Sequence, residues 1–481
     1  MLLLDGVCTQ VMLVLSGGAF LAAYALLLGA SNKVIGILFA IPPAAQVLQV
    51  PSIFIVERVG LRKALVVGSA GLSRVALLGM AAVPWLVPAP HRLTVLVVSL
   101  LLFWGIGAVG GCAFSPWMRD FVPDRVRGRY FGRRLAVAVA AGAAASMAAG
   151  IGVDLYRARF TPEIGVYTVL LAVAAAAGFL GVWFLTGIPE PRMGLTSPRG
   201  IRAAIAEPLR DANFRRLMLF LGSWNFSVNL AAPFFAVYML TKLGMSMTWI
   251  MLLFLLSQAA NVAFLNIWGR LADRFSNKSV LAAAGPLFMA STALWPLTTA
   301  QTSPVFVISL LSLIHVLQGV STAGVMLCGW NAALKLAPRA SATGYLATNA
   351  LVFGIAASIA PVLAGVALDW SASHGVSLVL GASSAHPGLR IDGLDLLFVA
   401  SVIVGVASLR LLARVDERGE IKEKEMLGEV YGEIRAAARG LSSVPGLRAL
   451  SSFPYGLVRW RVGRSVRDGG TVRPRVRPKN A

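Results

Sequence analysis

The sequence predicts an all-α polytopic membrane protein, twelve transmembrane helices arranged as two pseudo-symmetric six-helix bundles. Three observations carry that prediction. Of 481 residues, 57% are hydrophobic and 13% charged, against about 45–50% and about 25% in soluble domains, so the apolar excess must face lipid. The apolar residues gather into twelve runs of spanning length. The second six runs repeat landmarks of the first six at a constant offset.

The runs fall near 1–29, 34–56, 64–88, 93–116, 135–155, 164–187, 215–240, 247–268, 279–300, 304–329, 343–368 and 393–413. Each reads as a helix, because an open strand cannot cross lipid with its backbone groups unpaired. With the N-terminus inside, the inner loops hold twenty basic residues and the outer loops six, namely Lys33, Arg92, Arg157, Arg159, Lys242 and Arg390. That bias puts both termini in the cytoplasm and the chain in the inner (plasma) membrane. The Pro-rich stretch 188–214 is the one long internal polar connection. It divides the chain into a first bundle (1–187), a linker (188–214), a second bundle (215–413) and a basic tail (414–481). In the tail, Phe453-Pro-Tyr-Gly-Leu-Val-Arg-Trp-Arg-Val-Gly-Arg464 mixes aromatics with arginine. That mixture suits the headgroups of an anionic inner leaflet or, equally, a solvated tail.

The net charge of +22 is spread along the chain and reads as topogenic loop charge rather than a nucleic-acid footprint. Cys8, Cys112 and Cys328 all lie in apolar runs and read as packing residues, not metal or disulfide partners. His374 and His386 lack the third ligand a metal site needs, and no metal or cofactor is expected. No cleavable signal peptide is evident, since the first apolar run continues to full spanning length.

The repeat offset is about 215 residues. Gly29-Ala-Ser31 aligns with Gly244-Met-Ser246, Gln46 with Asn261, Pro123 with Pro338 and Tyr130 with Tyr345. Gly150-Ile-Gly-Val-Asp154 aligns with Gly365-Val-Ala-Leu-Asp369 and, with one residue of slip, Glu57-Arg58 with Asp273-Arg274. Duplicated six-helix halves related by an axis along the membrane normal place a binding site between them near the midplane. The counterparts of Arg215-Arg216 fall at or before Met1. The expectation is therefore a natural start further upstream or an unusually short N-terminus.

Between the second and third runs, Ile53-Phe-Ile-Val-Glu57-Arg58-Val-Gly60-Leu-Arg62-Lys63 combines an acid, Arg, Gly and a basic pair. Gly269-Arg-Leu-Ala-Asp273-Arg274-Phe-Ser276-Asn-Lys278 is its second-half version, with Ser276 at the second glycine. With these motifs, residues 1–413 resemble the major facilitator superfamily of secondary transporters. The loop from Trp117 to Arg134 is similar to the four-to-five connection of a bacterial branch of that superfamily. The resemblance implies that Glu57 meets the start of the eleventh helix and Asp273 the start of the fifth, near Arg133. A carboxylate there favours a helix N-terminus and a nearby guanidinium. Glu57, Arg58, Arg62, Lys63, Asp273, Arg274, Lys278 and Arg133 would then form a gate that closes the inner side and breaks on opening inward.

Polar groups inside the membrane are costly unless paired, and so are the first candidates for a site. Asn225 and Asn229 share a helix face, as do His315 and Gln318, Gln258 and Asn261, and Gln46 and Gln49; Gln10 is the repeat partner of Asn225. The resemblance places the first, fourth, seventh and tenth helices around a central cavity, with the second, fifth, eighth and eleventh beside them. Substrate binding is accordingly expected of Asn225, Asn229, His315, Gln318, Gln10, Gln46, Gln258 and Asn261. The alternative is that these groups simply join helices. His315 could carry a coupling proton, although a neutral, hydrogen-bonded histidine is the default. Arg74 lies at mid-depth with no obvious acid, and is expected to pair with carbonyls or snorkel.

No lysine follows a glycine, so a phosphate-cradling GK loop is absent. The chain is expected to be a monomeric secondary transporter of a small solute working by alternating access, not an enzyme. Alternatives are a lipid-handling carrier or flippase on the same scaffold, and a non-transporting receptor or scaffold.

Overall fold

The computed structural model describes residues 1–190, 207–299, 303–338, 342–380, 389–417 and 428–430. The chain resolves into two compact units, Met1–Glu420 and Ile421–Ala481. Of the second unit only Gly428–Val430 is described, as a turn of helix. Linker residues 191–206, His386 and the aromatic-arginine segment 453–464 lie outside the described residues.

Among the described residues the chain makes twelve crossings. They are α1 (Leu2–Leu27), α2 (Asn32–Val47, continued as Gln49–Val59), α3 (Arg62–Leu86), α4 (Arg92–Phe121), α5 (Asp124–Arg157) and α6 (Ile164–Thr186). The second set is α7 (Ala212–Lys242), α8 (Met247–Arg274), α9 (Asn277–Thr299), α10 (Pro304–Leu336), α11 (Ala342–Ser373) and α12 (Gly393–Leu412). Eleven are long and apolar enough to span on their own. The other crossing, α2, is interrupted at Leu48, after Pro42 and Pro43 and before Pro51. Each proline removes a backbone donor and crowds the preceding turn, which breaks the ladder. The strands β1 (Leu378–Leu380) and β2 (Leu389–Ile391) pair antiparallel between α11 and α12.

Helix contacts fall into two sets joined chiefly by α2 against α11. In the first, α1 packs on α5 and α6, and α3 packs on α4 and α6; in the second, α7 packs on α11 and α12, α8 on α10, and α9 on α10 and α12. The repeat is visible in the backbone: Gly29 and Gly244, equivalent by the 215-residue offset, both take positive φ (84° and 59°) just before a span begins. Only glycine adopts that conformation without steric cost.

Residues 1, 60, 123, 188, 211, 275, 338 and 413 define one face, the terminal face; the other ends form the opposite face. Contacts between the two sets concentrate toward the opposite face, where α2 lies along α11 and the end of α5 meets the start of α8. One hydrophobic core crosses both sets there, joining Tyr24, Ile35 and Val153 to Met247, Met251 and Ala364. Near the terminal face, a second cluster around Leu2, Val66, Trp117 and Leu185 stays within the first set.

Candidate functional site

Two amides on α7 are set by helical periodicity. Ser227, fully buried, donates to Ser401 O on α12 at 2.6 Å and accepts from Ser401 Oγ at 2.8 Å through its own carbonyl. Asn225 and Asn229 flank it two residues to either side, which puts both on the opposite face of the helix, away from α12. Both are half-buried. Asn225 Nδ2 donates to Leu221 O at 2.7 Å and Asn229 Nδ2 to Asn225 O at 2.8 Å. These local bonds occupy the amide nitrogens and leave the side-chain carbonyls without a partner among the described residues.

On α8, Met247 and Met251 lie against Gly150 of α5. Gln258 follows Met251 by about two turns and therefore continues the stripe that faces the other half, with Asn261 beside it. Gln258 is exposed and Asn261 half-buried. On α2, Pro43 and Val47 touch Gly354 of α11. Gln46, between them in sequence, is exposed and accepts a hydrogen bond from Gln49. Gln10 of α1 is half-buried and sits over Gly142 of α5, where a Cβ would meet its Cγ at 2.7 Å.

His315 and Gln318 are placed differently from the expectation. His315 is 1% exposed, with Nδ1 2.8 Å from Leu311 O and its ring between Phe254 (5.9 Å) and Trp295 (5.7 Å). Those rings belong to α8 and α9, so the histidine lies inside its own half and does not line an open cavity in this conformation. Gln318 is 8% exposed, and its Nε2 is buried without a hydrogen-bond partner.

Two of the charged motif residues, Arg62 and Lys278, are engaged within their own halves. Arg62 is buried and its guanidinium meets Asp120 at 2.6 Å. Lys278 is buried, and its Nζ donates to Ala413 O at 3.2 Å. Its backbone N–H, together with that of Asn277, donates to Glu417, which also binds Lys335 at 2.9 Å. Burial alone would raise the Glu417 carboxyl. The bonds from Lys335, Asn277 and Lys278 outweigh it and hold the group below the usual glutamate range. Residues up to Glu417 are thus bound into the second half, although the sequence placed them in the tail. At Ser276 the motif's glycine is replaced for a local reason: Ser276 caps α9, accepting from Ser279 N at 3.0 Å. Gly60, its counterpart, ends α2 at φ 66°.

Arg58, Arg133 and Asp273 are exposed, Lys63 is half-buried and Arg274 lies over the Phe275 ring. No ion pair joins Asp273 to Arg133 among the described residues. The Glu57 side chain lies outside them.

Sequence reasoning missed several pairings. Arg134 of α5 binds Asp5 of α1 at 2.7 Å and Leu2 O at 2.9 Å. Arg74 donates to Ala70 O and Ser73 Oγ, and Asp5 is a nearby acid that its charge also meets. Lys242 binds both Asp392 and the fully buried Asp395 at the start of α12. Asp154 and Asp369, known from sequence only as matched acids at span ends, reach across to the opposite half. Asp154 of α5 accepts from Met247 N (3.0 Å) and Thr248 N (2.7 Å) of α8. Asp369 of α11 accepts from Asn32 N, Asn32 Nδ2 and Lys33 N of α2, each at 3.0 Å. The signal that pointed to them was the repeat.

A family model described as Major Facilitator Superfamily matches residues 6–361 and, in a second alignment, 225–456. The chain belongs to the Major Facilitator Superfamily. It is a multi-pass membrane protein of the transporter class. Among solved structures similar to this superfamily member is the nucleoside transporter NupG (D323A mutant), with TM-score 0.67 and 12% identity, covering 86% of this chain and 100% of that one. A bacterial homolog of the human lysosomal transporter Spinster, inward-facing and occupied, gives TM-score 0.62 at 15% identity, covering 86% and 96%. A D-xylose-proton symporter gives 0.59 at 15%, covering 87% and 96%. At such identities the likeness is one of fold. No curated protein sequence matches the chain.

Proposed function

We propose that this chain carries a small, neutral, hydrogen-bonding solute across the cytoplasmic membrane by alternating access, and that the structure is its inward-facing state. The terminal face is then the cytoplasmic one, as the basic-residue bias requires. The observation that carries the conformational reading is the asymmetry between the faces. On the opposite face, hydrogen bonds join the two halves. On the terminal face, the bonds of Arg62, Arg134, Trp117, Glu417 and Tyr345 each stay within one half. Rocking the halves about a midplane site interconverts such a state with its outward-facing counterpart.

The solute class follows from what the central faces offer. Asn225, Asn229, Gln258, Asn261, Gln46 and Gln10 are amides, each able to donate and to accept. Of the charges inside the membrane, Asp5 pairs with Arg134 and Lys242 with Asp395 within a half, and Arg74 is turned to Ala70 O, Ser73 Oγ and Gly178 of its own half. A charged solute would find no counter-ion on these faces, and its desolvation would go uncompensated. Gln318, with its unpartnered nitrogen, lies deeper and adds a donor if α10 turns during the cycle. The gating role of Glu57, Arg58, Asp273 and Arg133 belongs to the outward-facing state, in which the cytoplasmic ends meet.

The test is binding by thermal shift in detergent. Purified protein is exposed to a panel of neutral polyols, nucleosides and amides, beside matched organic anions and cations. Stabilisation by a neutral compound, lost in Asn229→Ala, supports the reading. Stabilisation by ions alone overturns it.

A further inference from the structure

We propose that Asp154 and Asp369 form a duplicated outer latch, each carboxylate capping a helix of the opposite half, and that the latch sets the equilibrium between the inward- and outward-facing states. The proposal rests on the transporter reading only for the purpose of that equilibrium.

The two contacts are the same contact made twice. The offset of 215 residues that relates the halves carries Asp154 to Asp369. It also carries the donor site on α2, Asn32 and Lys33, to that on α8, Met247 and Thr248. Each carboxylate uses both oxygens on the first two backbone N–H groups of the helix it caps. Those N–H groups have no partner within their own helix, and the helix start is electropositive, so a carboxylate is the natural complement. The cap is normally supplied by the helix's own preceding residue. Here Ser31 makes no side-chain cap, and Ser246 only reaches Trp249 N at 3.5 Å. The other half therefore supplies what the local sequence does not.

One turn before each acid stands a glycine on the same face, Gly150 and Gly365, again equivalent by the offset. A Cβ at Gly150 would meet Met251 Cγ at 2.9 Å and Met247 O at 3.3 Å; a Cβ at Gly365 would run into the backbone carbonyl of Asn32. The glycines let the helices approach closely enough for the carboxylates to reach. Neither contact survives a rocking motion that parts α2 from α11 and α5 from α8. Opening outward thus exposes two carboxylates and four backbone donors at once. Because the two caps are made by different helix pairs, removing one leaves the other standing.

The experiment measures conformation rather than transport, so a failed solute assignment leaves it intact. Spin labels go on Arg159→Cys and Ser377→Cys, exposed positions in opposite halves on the latch side, with Cys8, Cys112 and Cys328 replaced. Electron–electron distance measurements in nanodiscs then read the share of molecules with the latch side open. Asp154→Asn and Asp369→Asn each remove the charge and one of the two accepting oxygens, and should each raise the open-to-closed ratio about five- to tenfold, the size of one hydrogen bond to a helix start. The double variant should raise it by about the product, since the sites are separate. Gly365→Ala, which keeps both acids, should shift the ratio the same way. An unchanged distance distribution in the double variant, with the protein monodisperse, overturns the proposal. Should the double variant fail to fold, an unchanged distribution in Gly365→Ala and in both single variants overturns it equally.

Discussion

The two faces of the molecule use carboxylates in opposite ways. On the latch face, Asp154 and Asp369 reach from one half to the other and bind main-chain N–H groups. On the terminal face, Asp5, Asp120 and Glu417 stay in their own halves, and side-chain cations supply much of their binding. The difference also shows in the repeat. Main-chain donors are present whatever residue occupies the position, so the latch keeps one pattern in both halves. Side-chain partners are free to diverge, and they have: Arg62 pairs with Asp120, whereas of the equivalents Lys335 binds Glu417 from beyond α12 and Lys278 gives that carboxylate only its backbone N–H, its Nζ going to Ala413 O. The comparison assigns stability to contacts within a half and conformational balance to contacts between halves, and each assignment can be broken separately.

The largest effect is expected at the Asp5–Arg134 pair, whose side chains are 5% and 20% exposed. Arg134→Met leaves a buried carboxylate without its partner, a loss of about 3–5 kcal/mol. Thermal unfolding in detergent should show a fall of many degrees. The inter-half distances should not move, because neither residue touches the other half. A shift in those distances would break the division of labour.

Next is Glu417, the clasp of the second half. Glu417→Gln removes the charge that binds Lys335 and weakens the cap on Asn277 and Lys278, a cost of about 1–3 kcal/mol. The pH dependence has a definite sign. The folded-state pKa lies below the ordinary value of 4.5, so this stabilisation is full above that value and is lost as pH falls through the lower, folded one. The difference in melting temperature between wild type and Glu417→Gln should shrink on acidification below the ordinary range.

Much of the fold was legible in the sequence, because lipid imposes a hydropathy requirement that no other environment does. The apolar runs mark where each helix meets hydrocarbon, which is not where it ends. α5 begins at Asp124, well before the run at 135, since its arginine-rich first turns are helical outside the bilayer. The amides proposed for the site stand out in the sequence because polar groups are conspicuous in apolar runs. The depth of His315 was not, since the rings that enclose it come from Phe254 and Trp295, distant in sequence. The role of Asp154 and Asp369 was hidden for a similar reason. Their partners are main-chain groups that every residue carries, and so leave no mark in the sequence.

A site residue should sit outside both categories, altering neither stability nor balance. Asn229→Ala removes one amide from α7, including a carbonyl that has no partner among the described residues. Its expected cost is about 1 kcal/mol of solute binding, the worth of one hydrogen bond. Uptake into proteoliposomes should show a several-fold higher KM, with an unchanged melting temperature for the unliganded protein. If melting falls instead, Asn229 joins helices.

The smallest effect sharpens the comparison most, because it concerns a contact the present state does not make. Asp273 and Arg133 are both exposed here, so Asp273→Asn removes little from the state described. In the proposed outward-facing state the terminal-face ends close, and Asp273 would then meet the start of α5 as a charge at a helix N-terminus, worth about 0.3–1 kcal/mol at an exposed end. The substitution should favour the inward-facing state about two- to fivefold, opposite in direction to Asp154→Asn. Combining the two should restore part of the wild-type distance distribution. A rocker with one carboxylate gate on each face predicts that cancellation, whereas a molecule whose terminal-face charges serve only topology predicts the Asp154→Asn distribution unchanged.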